Sequence, residues 1–399
     1  MKTRTGYKIA IVSDWYLPRI GGLELHLRDL AKELNARGHE AHVITATPGE
    51  RELDGIKVHR LDVPLMPGLD TIRSKKALIP LEALFVREQY DLIHCHTALS
   101  PLSIGAAYVA KKLSIPSVMT EHSVLKGAGL ALLSALHKIW GWADWPGILT
   151  AVSHYVAGDM RAVSGRKDVY VLPNGINPSE WKPHNPPQAH EPKPLRVTTV
   201  MRFTKRKKPH EVIRAIPKIH ALLPAHLRPT FTLVGDGPER AHVEREIARL
   251  GVGEYVELTG FKPRHQIREI LARSSLFILP TSKEALSIAT LEARCCGLPV
   301  VAMNHGGVGD LIRHGREGFL ANTNAEFIQH IAEVMRDEDL RARMSDATKR
   351  SLDWFAWDSV IAQHMHVYRL AYQACHGRAP SLPNIPVVPE NQALQERLA

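Results

Sequence analysis

The chain has 399 residues, 44% of them hydrophobic, and a formal net charge of +10. This length exceeds one compact core and predicts two domains, and the composition is that of a globular protein. The positive surplus is spread over both halves of the chain, and only 6% of residues are aromatic, so we do not expect nucleic acid as a partner.

The first part of the chain, 1–181, alternates short apolar runs with helical patterns. An amphipathic helix is predicted over 23–39, ending near Gly38. The predicted strands are 7–14, 40–46, 91–96, 117–122, 148–153 and 169–173. Such alternation is typical of a parallel sheet with helices on both faces, so this part is predicted to be a Rossmann-like domain.

A Pro-rich, polar stretch at 182–194 is predicted to be a linker, after which the same alternation restarts in a second Rossmann-like domain at 195–351. An amphipathic helix at 352–375 is expected to pack back on the first domain, and 376–399 is predicted to be a disordered tail. The fold class is therefore α/β, with two doubly wound domains facing across a cleft at the carboxyl ends of their strands.

The N-terminal stretch lacks the apolar region and cleavage site of a signal peptide. No run reaches 18 uninterrupted apolar residues, and the four cysteines form no C-x-x-C pair. We therefore expect a cytoplasmic protein that does not span a membrane.

Two features of the first domain are candidate site elements. Gly21 and Gly22 lie where the first loop meets a helix, so their amides can face an anion, although a Gly-Gly loop is more often a simple turn. His122 follows a strand in the sequence TEHS and would face the cleft, whereas a lone histidine is more often structural.

The loop after the first strand of the second domain is strongly basic. Arg202 lies at the end of the strand, and Arg206, Lys207 and Lys208 follow. A solvated surface loop is one explanation. Because strand carboxyl ends border the ligand crevice in open α/β sheets, we prefer a site for a diphosphate.

The stretch EALSIATLEARCCG, 284–297, is the most informative part of the sequence. Ser287 is predicted to cap a helix running to Cys295, with Glu284 before it and Glu292 inside it. Four amides near the helix start would face an anion: Leu286, Ser287, Ile288 and Ala289. A surface capping pair is the alternative explanation for the two glutamates.

No metal site is predicted. The acidic run at 337–339 opens a polar helix and is expected to supply capping charge. His94 and His96 alternate on a strand and point to one face, with no third ligand evident in the sequence.

In this order the pieces resemble the retaining GT-B glycosyltransferases of family 4. The matching features are GGLE, TEH, VLPNGIN, Arg202 with Lys207, and two glutamates eight residues apart followed by CCGLPVVA and HGGVGDLI, over roughly 7–375. The stretches LIHCHTALS, SVMTEHSVL and EALSIATLEARCCGLPVV look most like the catalytic subunit of the GPI-anchor N-acetylglucosaminyltransferase and its bacterial relatives.

The resemblance implies a nucleotide-diphospho-sugar donor held mainly by the second domain. Arg202 and Lys207 would bind the diphosphate, Glu292 the ribose and Glu284 the sugar hydroxyls, with amides of 286–289 on phosphate or sugar. It also implies that Gly21 and Gly22 approach the diphosphate and that His122 lies by the reacting carbon. The departing phosphate would take the acceptor proton, so no protein general base would be essential, and no cofactor or metal is expected.

The expected activity is retaining transfer of a hexosyl or N-acetylhexosaminyl group to a hydroxyl of a lipid, glycan or small-molecule acceptor. UDP-sugars are favoured as donors, with UDP-GlcNAc a candidate. The alternatives are a GDP-mannose-dependent mannosyltransferase, a nucleotide-sugar epimerase and a non-catalytic sugar-nucleotide-binding protein.

The segment 124–147 combines leucines with Trp140, Trp142 and Trp145. One hypothesis is that it borders the acceptor site and makes peripheral contact with the cytoplasmic face of an anionic membrane. The alternative is a core helix followed by an aromatic-rich loop.

Overall fold

The computed structural model describes residues 6–66, 71–72, 77–145, 147–182, 195–281 and 283–377. The predicted linker from 183 and the predicted tail from 378 lie outside the described residues. The chain divides into two compact units, the first formed by 1–175 with 357–399 and the second by 176–356.

The first unit is built on a sheet of eight strands, as counted over the described residues. They are β1 (Lys8–Val12), β2 (Glu40–Thr45), β3 (Glu52–Leu53), β4 (Ile56–Arg60), β5 (Leu92–His96), β6 (Ser117–Glu121), β7 (Ile148–Ala151) and β8 (Val169–Val171). Their order is β3-β4-β2-β1-β5-β6-β7-β8, and all neighbours are parallel except β3 and β4. The long parallel part confirms the predicted sheet.

The first five helices also belong to this unit. They are α1 (Gly22–Ala36), α2 (Leu78–Glu88), α3 (Pro101–Lys112), α4 (Ala128–Trp140) and α5 (His154–Ser164). The apolar residues that repeat along α1, including Leu27, Leu30 and Leu34, are fully buried. The helix predicted over 23–39 therefore forms, and it ends before Gly38 because the chain turns there with a φ of +86°.

The second unit contains a sheet of six parallel strands, counted over the described residues. They are β9 (Arg196–Val200), β10 (Thr230–Val234), β11 (Val256–Gly260), β12 (Leu276–Leu279), β13 (Val300–Met303) and β14 (Gly318–Ala321). The order is β11-β10-β9-β12-β13-β14. The helices are α6 (Pro209–Ala221), α7 (Arg240–Leu250), α8 (Arg264–Ala272), α9 (Ile288–Cys295), α10 (Asn324–Arg336) and α11 (Glu338–Lys349).

The final helix, α12 (Trp357–His376), starts later than the predicted 352. Residues 353–355 form a 3₁₀ turn, and Ala356 pairs with Ile176 inside the second unit. Helix α12 contacts α1, β6 and β7 of the first unit.

The predicted end of the first domain at 181 also differs from the observed division. Residues 176–181 lie in the second unit. Trp181 is buried there, and its carbonyl accepts a hydrogen bond from Cys296 Sγ at 3.4 Å. Packing against α9 therefore holds this short segment in the second unit.

Candidate functional site

The carboxyl ends of β9 and β12 mark the point where the strand order of the second sheet reverses. The chain leaves β9 toward one side of the sheet and reaches β12 on the other, so the loops after these two strands flank a crevice. The loop after β9 carries Arg202 and Lys207, and the loop after β12 carries Glu284. Topology thus gathers residues that are nearly eighty positions apart in sequence.

Lys207 and Glu284 form an ion pair between Lys207 Nζ and the Glu284 carboxylate. Only 18% and 12% of the two side chains are exposed, so the pair is shielded from most of the solvent. The turn after β13 fixes the Glu284 backbone, since Gly307 donates to its carbonyl at 2.7 Å. A positive and a negative group are therefore held side by side at the crevice.

Gly306 is required for that arrangement. Its φ of +97° belongs to the region that favours glycine, and a Cβ built there would lie 2.1 Å from the Glu284 carbonyl oxygen. The glycine pair of the HGGVGD motif thus contacts the main-chain carbonyl of Glu284 closely.

Helix α9 begins where the sequence predicts. Ser287 is its N-cap, with Oγ accepting a hydrogen bond from the Thr290 amide at 3.2 Å, so the predicted cap is confirmed. Leu291 donates its amide to the Ser287 carbonyl. The amides of Ile288 and Ala289 have no carbonyl partner within the helix, as at any helix start. The helix dipole adds a partial positive charge there.

Glu292 lies on the second turn of α9 with only 6% of the residue exposed. Arg264, the first residue of α8, places Nε 3.6 Å from the Glu292 carboxylate. Sequence reasoning missed Arg264. The sequence did contain a signal for it. Arg264 follows β11, and the carboxyl end of β11 lies at the same edge of the parallel sheet as the other site loops.

Arg202 is exposed on its loop, whereas the neighbouring Phe203 is completely buried. Phe203 exchanges backbone hydrogen bonds with residues 236 and 239 of the loop after β10. The loop that carries Arg202 and Lys207 is thus anchored at its centre by an aromatic side chain and two backbone contacts.

In the first unit, Gly21 is the N-cap of α1 and Gly22 is its first residue. The space over Gly21 is occupied by Glu24, whose Oε2 would lie 2.4 Å from a Cβ built on Gly21. Glu24 is buried and pairs with Arg19 at 3.3 Å. A carboxylate of the chain itself therefore already lies at the helix start that the sequence assigned to an anion.

The loops after β1 and β5 are tied together by Asp14. Its carboxylate accepts hydrogen bonds from Ser100 Oγ and from the Leu102 amide at 3.1 Å. Burial raises the pKa of Asp14 in spite of these bonds. The strand order of the first sheet reverses between β1 and β5, so Asp14 stabilises the edge at which that crevice opens.

His122 lies immediately after β6 and belongs to a group of five imidazoles, which we call the histidine cluster: His26, His94, His96, His122 and His364. His96 Nδ1 lies 2.9 Å from His122 Nε2, at hydrogen-bonding distance. The rings of His94 and His96 are 4.0 Å apart, and that of His26 is 5.5 Å from His122. The other three imidazoles come from α1, the residue after β6 and α12, and among the described residues the cluster contains no set of three ligand atoms with the spacing of a metal site.

Burial lowers the pKa of His94, His96 and His122 well below the ordinary value, so these imidazoles are neutral near pH 7. His94 is fixed at both nitrogens, by the Tyr368 hydroxyl at 2.9 Å and by Thr120 Oγ1 at 2.7 Å. The cluster thus forms a rigid support behind His122.

Glu121, the acid of the TEH motif, is a second residue that sequence reasoning missed. Its carboxylate accepts hydrogen bonds from the amides of Ala98, His122 and Ser123 at 2.7 to 2.9 Å. Complete burial outweighs them and raises its pKa to about 7. Glu121 therefore fixes the main chain at His122 and Ser123 and links it to the loop that contains Ala98.

The predicted segment 124–147 contains helix α4, and its apolar residues are of two kinds, buried and exposed. Leu125, Leu133 and Trp142 are buried, and the Trp142 indole donates to the Leu133 carbonyl at 3.2 Å, so Trp142 is a core residue. In contrast, Leu132, Ile139 and Trp140 are 53%, 72% and 52% exposed. These three residues occupy positions i, i+7 and i+8 of α4, so they lie on one side of the helix.

None of the described helices combines the length and the apolar character that crossing a bilayer requires.

Comparison with known families gives two adjacent matches. The family described as "Glycosyltransferase Family 4" matches residues 20–180, and that described as "Glycosyl transferases group 1" matches residues 182–351. The two matches meet close to the boundary between the two units and together cover most of the chain.

Two similar proteins have names that mention the N-acetylglucosaminyl group. A human protein named as a component of phosphatidylinositol N-acetylglucosaminyltransferase is 27% identical over 334 residues, which is 78% of this chain and 64% of the human protein. The chain thus spans somewhat less than two thirds of that relative. The N-acetyl-alpha-D-glucosaminyl L-malate synthase of Bacillus anthracis is 26% identical over 88% of this chain and 94% of its own length.

Solved structures show the same architecture. A crystal structure of Anabaena HepE in complex with UDP superposes with a TM-score of 0.74 at 22% identity, covering 90% of this chain and 98% of that one. The fold is GT-B, consisting of two Rossmann-like units. The two family matches together cover most of the chain, and the chain belongs to the family 4 glycosyltransferases.

Proposed function

We propose that the chain transfers an N-acetylglucosaminyl group from UDP-GlcNAc to a hydroxyl acceptor with retention of anomeric configuration. The observation that carries the proposal is the shielded Lys207–Glu284 pair at the reversal point of the second sheet. A donor has an anionic diphosphate next to a neutral sugar rich in hydroxyl donors, and a fixed cation beside a fixed carboxylate matches both.

Each donor fragment is assigned to groups of the second unit. Lys207 and Arg202 bind the diphosphate, with the first amides of α9 as additional donors. Glu284 accepts hydrogen bonds from sugar hydroxyls. Glu292 accepts hydrogen bonds from the ribose hydroxyls, and Arg264 lies beside that carboxylate.

The reaction itself needs little proton chemistry from the protein. In a same-face displacement the sugar–phosphate bond breaks as the acceptor oxygen attacks, and the departing phosphate takes the acceptor proton. Positive groups around the phosphate stabilise the charge that develops on it. We therefore propose a metal-independent reaction in which Glu284 positions the sugar. The role of His122 beside the reacting carbon stays a prediction from the family resemblance.

The choice of donor sugar follows the relatives. Both the human and the Bacillus anthracis proteins are named for transfer or attachment of N-acetylglucosamine, and both align over most of this chain. A hydroxyl acceptor on a lipid, glycan or small molecule agrees with this set of names.

A panel of nucleotide sugars tests the proposal. We expect UDP-GlcNAc to raise the melting temperature and to be hydrolysed slowly without acceptor, and we expect GDP-mannose and ADP-glucose to do neither. A response to GDP-mannose alone would identify a mannosyltransferase and refute the UDP-GlcNAc proposal. Failure of all three donors would refute transfer from a nucleotide sugar.

We further propose that α4 makes peripheral contact with an anionic membrane that presents the acceptor. Leu132, Ile139 and Trp140 form an exposed apolar stripe, and Lys138 beside it is also exposed. A cationic, Trp-containing amphipathic surface is suited to the lipid interface.

Flotation with liposomes containing phosphatidylglycerol measures this contact. Wild-type protein should float with them, and Ile139→Glu should remain in the dense fraction with an unchanged melting temperature. The matched control, Val86→Glu on α2, replaces another exposed apolar side chain and should float like wild type. Equal flotation of the two variants would refute a role for α4.

A further inference from the structure

Three side chains of the types that ligate metal ions lie together in the second unit, at the facing starts of α6 and α7. His210 is the second residue of α6, Glu239 is the N-cap of α7 and His242 is its third residue. One ligand atom from each of the three lies within 4.8 Å of the other two. Two imidazoles and a carboxylate are ligands that zinc and similar ions accept.

The two imidazoles stack with ring centroids 4.8 Å apart, and His242 Nδ1 lies 3.1 Å from Glu239 Oε2. His210 Nδ1 is a buried nitrogen with no hydrogen-bond partner among the described residues. A buried ring nitrogen without a partner is costly, and a metal ion would satisfy it if it is deprotonated.

The charges around the cluster favour a cation. Glu211 lies 3.3 Å from His210, and Glu246 lies 3.8 Å from His242, so carboxylates face both rings. The nearby cations are Arg214, which pairs with Glu211 and Glu246, and Arg249, which pairs with Glu246. Because these arginines have carboxylate partners of their own, Glu239 can act as a ligand.

A similar set in the first unit provides a contrast. His42, His59 and Glu88 also lie within 4.8 Å of one another. There the ammonium groups of Lys8 and Lys57 approach Glu88 at 3.0 and 3.1 Å. Two cations already occupy that carboxylate and would repel a third, so the first-unit set is not a metal site.

We propose that His210, Glu239 and His242 bind a divalent transition-metal ion of the Zn²⁺ class at a site separate from the sugar transfer. Tetrahedral Zn²⁺ with bonds of about 2.0–2.1 Å holds its ligand atoms roughly 3.3 Å apart. Small side-chain rotations bring the three groups to that spacing, and water completes the coordination.

The ion would join two elements that otherwise meet through side-chain contacts. Helix α6 starts two residues after Lys207, and the Glu239 amide donates to the Phe203 carbonyl in the same basic loop. Occupancy therefore restrains the loop after β9 from its carboxyl end. The metal is structural in this proposal and takes no part in the displacement at the sugar.

Titration of the tag-free full chain with Zn²⁺ and with Co²⁺ tests the site. We expect saturable binding of one equivalent and a rise in melting temperature with Zn²⁺. The Co²⁺ spectrum should show weak d–d bands without a thiolate charge-transfer band, which excludes the cysteines as ligands. His210→Gln and His242→Gln should each weaken binding by at least about tenfold. His226→Gln, an exposed histidine of the same unit, should bind like wild type.

Unaltered binding in both histidine variants, or no saturable binding by the wild type, would overturn the proposal. Glu239→Gln provides a milder change if a histidine variant fails to fold, and it should also weaken binding. Because the titration contains no donor, it is independent of the transferase proposal. Removal of the ion with EDTA should lower the melting temperature.

Discussion

Replacement of Glu292 by glutamine tests the assignment of this buried carboxylate to the ribose. Glutamine keeps the shape of the side chain and removes its charge. The decrease in the free energy of unfolding should be small, because the partner Arg264 lies 3.6 Å away and its side chain is 31% exposed. Such partly exposed pairs contribute about 0–1 kcal/mol to the free energy of unfolding.

The loss in nucleotide binding should be larger. Hydrogen bonds from ribose hydroxyls to a carboxylate with only 8% of its side chain exposed are charge-assisted, and each such bond contributes about 1.5–3 kcal/mol. Since about 1.4 kcal/mol corresponds to a factor of ten, the dissociation constant of UDP should rise roughly 10- to 150-fold. Glu246→Gln, another buried carboxylate paired with arginine, is the matched control and should leave UDP affinity unchanged.

Isothermal titration with UDP and with 2′,3′-dideoxy-UDP isolates the contact. Wild-type protein should bind the dideoxy nucleotide far more weakly than UDP, whereas Glu292→Gln should bind the two almost equally. If wild type and variant distinguish the two nucleotides to the same degree, Glu292 does not contact the ribose and the reasoning is refuted.

Other predictions concern the sugar, the diphosphate, the glycine turn and pH. Glu284→Gln should lower kcat by about tenfold or more through loss of charged hydrogen bonds to the sugar, with UDP affinity retained; a selective loss of UDP affinity would contradict its role. Lys207→Met should weaken UDP binding in titration about tenfold or more while affinity for uridine is unchanged, and equal effects on both ligands would argue against a phosphate contact. Gly306→Ala should lower both the melting temperature and turnover, because its Cβ would collide with the Glu284 carbonyl; a normal melting temperature would show that the turn adapts. Because burial lowers the pKa values of His94, His96, His122 and His364, the free energy of unfolding should decrease as the pH falls below about 6.5, where the unfolded imidazoles bind protons and the folded ones do not. The slope is about 1.4 kcal/mol per pH unit for each imidazole that stays neutral, as His364 should down to its pKa of about 4. Burial gives Glu121 a pKa of about 7, which contributes the opposite slope between about 4.5 and 7. Denaturant titrations at pH 7 and pH 5.5 measure the net change, and a higher stability at pH 5.5 would contradict the dominance of the histidines.

Apolar runs and capping residues were sufficient to predict most of the sheets. Strands such as β5 and β12 are buried on both faces and bounded by polar loops, so their existence follows from local pattern. The hairpin of β3 and β4 was missed although Asp54–Gly55, with φ of +52° and +74°, is a typical two-residue turn. Its first strand has only two residues, too few for an alternating pattern.

The site residues divide in the same way. Ser287, Glu284 before α9 and Glu292 inside it could be placed from the sequence, because a helix start, its cap and its second turn are neighbours in sequence. Arg264 and Glu121 were not, because their importance comes from side chains and amides that the fold brings from other strands. The burial of Trp142 also could not be predicted, since spacing alone does not determine which face of a short aromatic segment meets the core.

The most direct test of the central claim is a reaction of UDP-GlcNAc with a panel of hydroxyl acceptors, including phosphatidylinositol and L-malate, followed by proton NMR. We predict release of UDP together with a new α-linked N-acetylglucosaminyl product, at a rate that falls when Glu284 is replaced by glutamine. Formation of a β-linked product would contradict retention. Conversion of the donor to its epimer without release of UDP would contradict the assignment as a transferase.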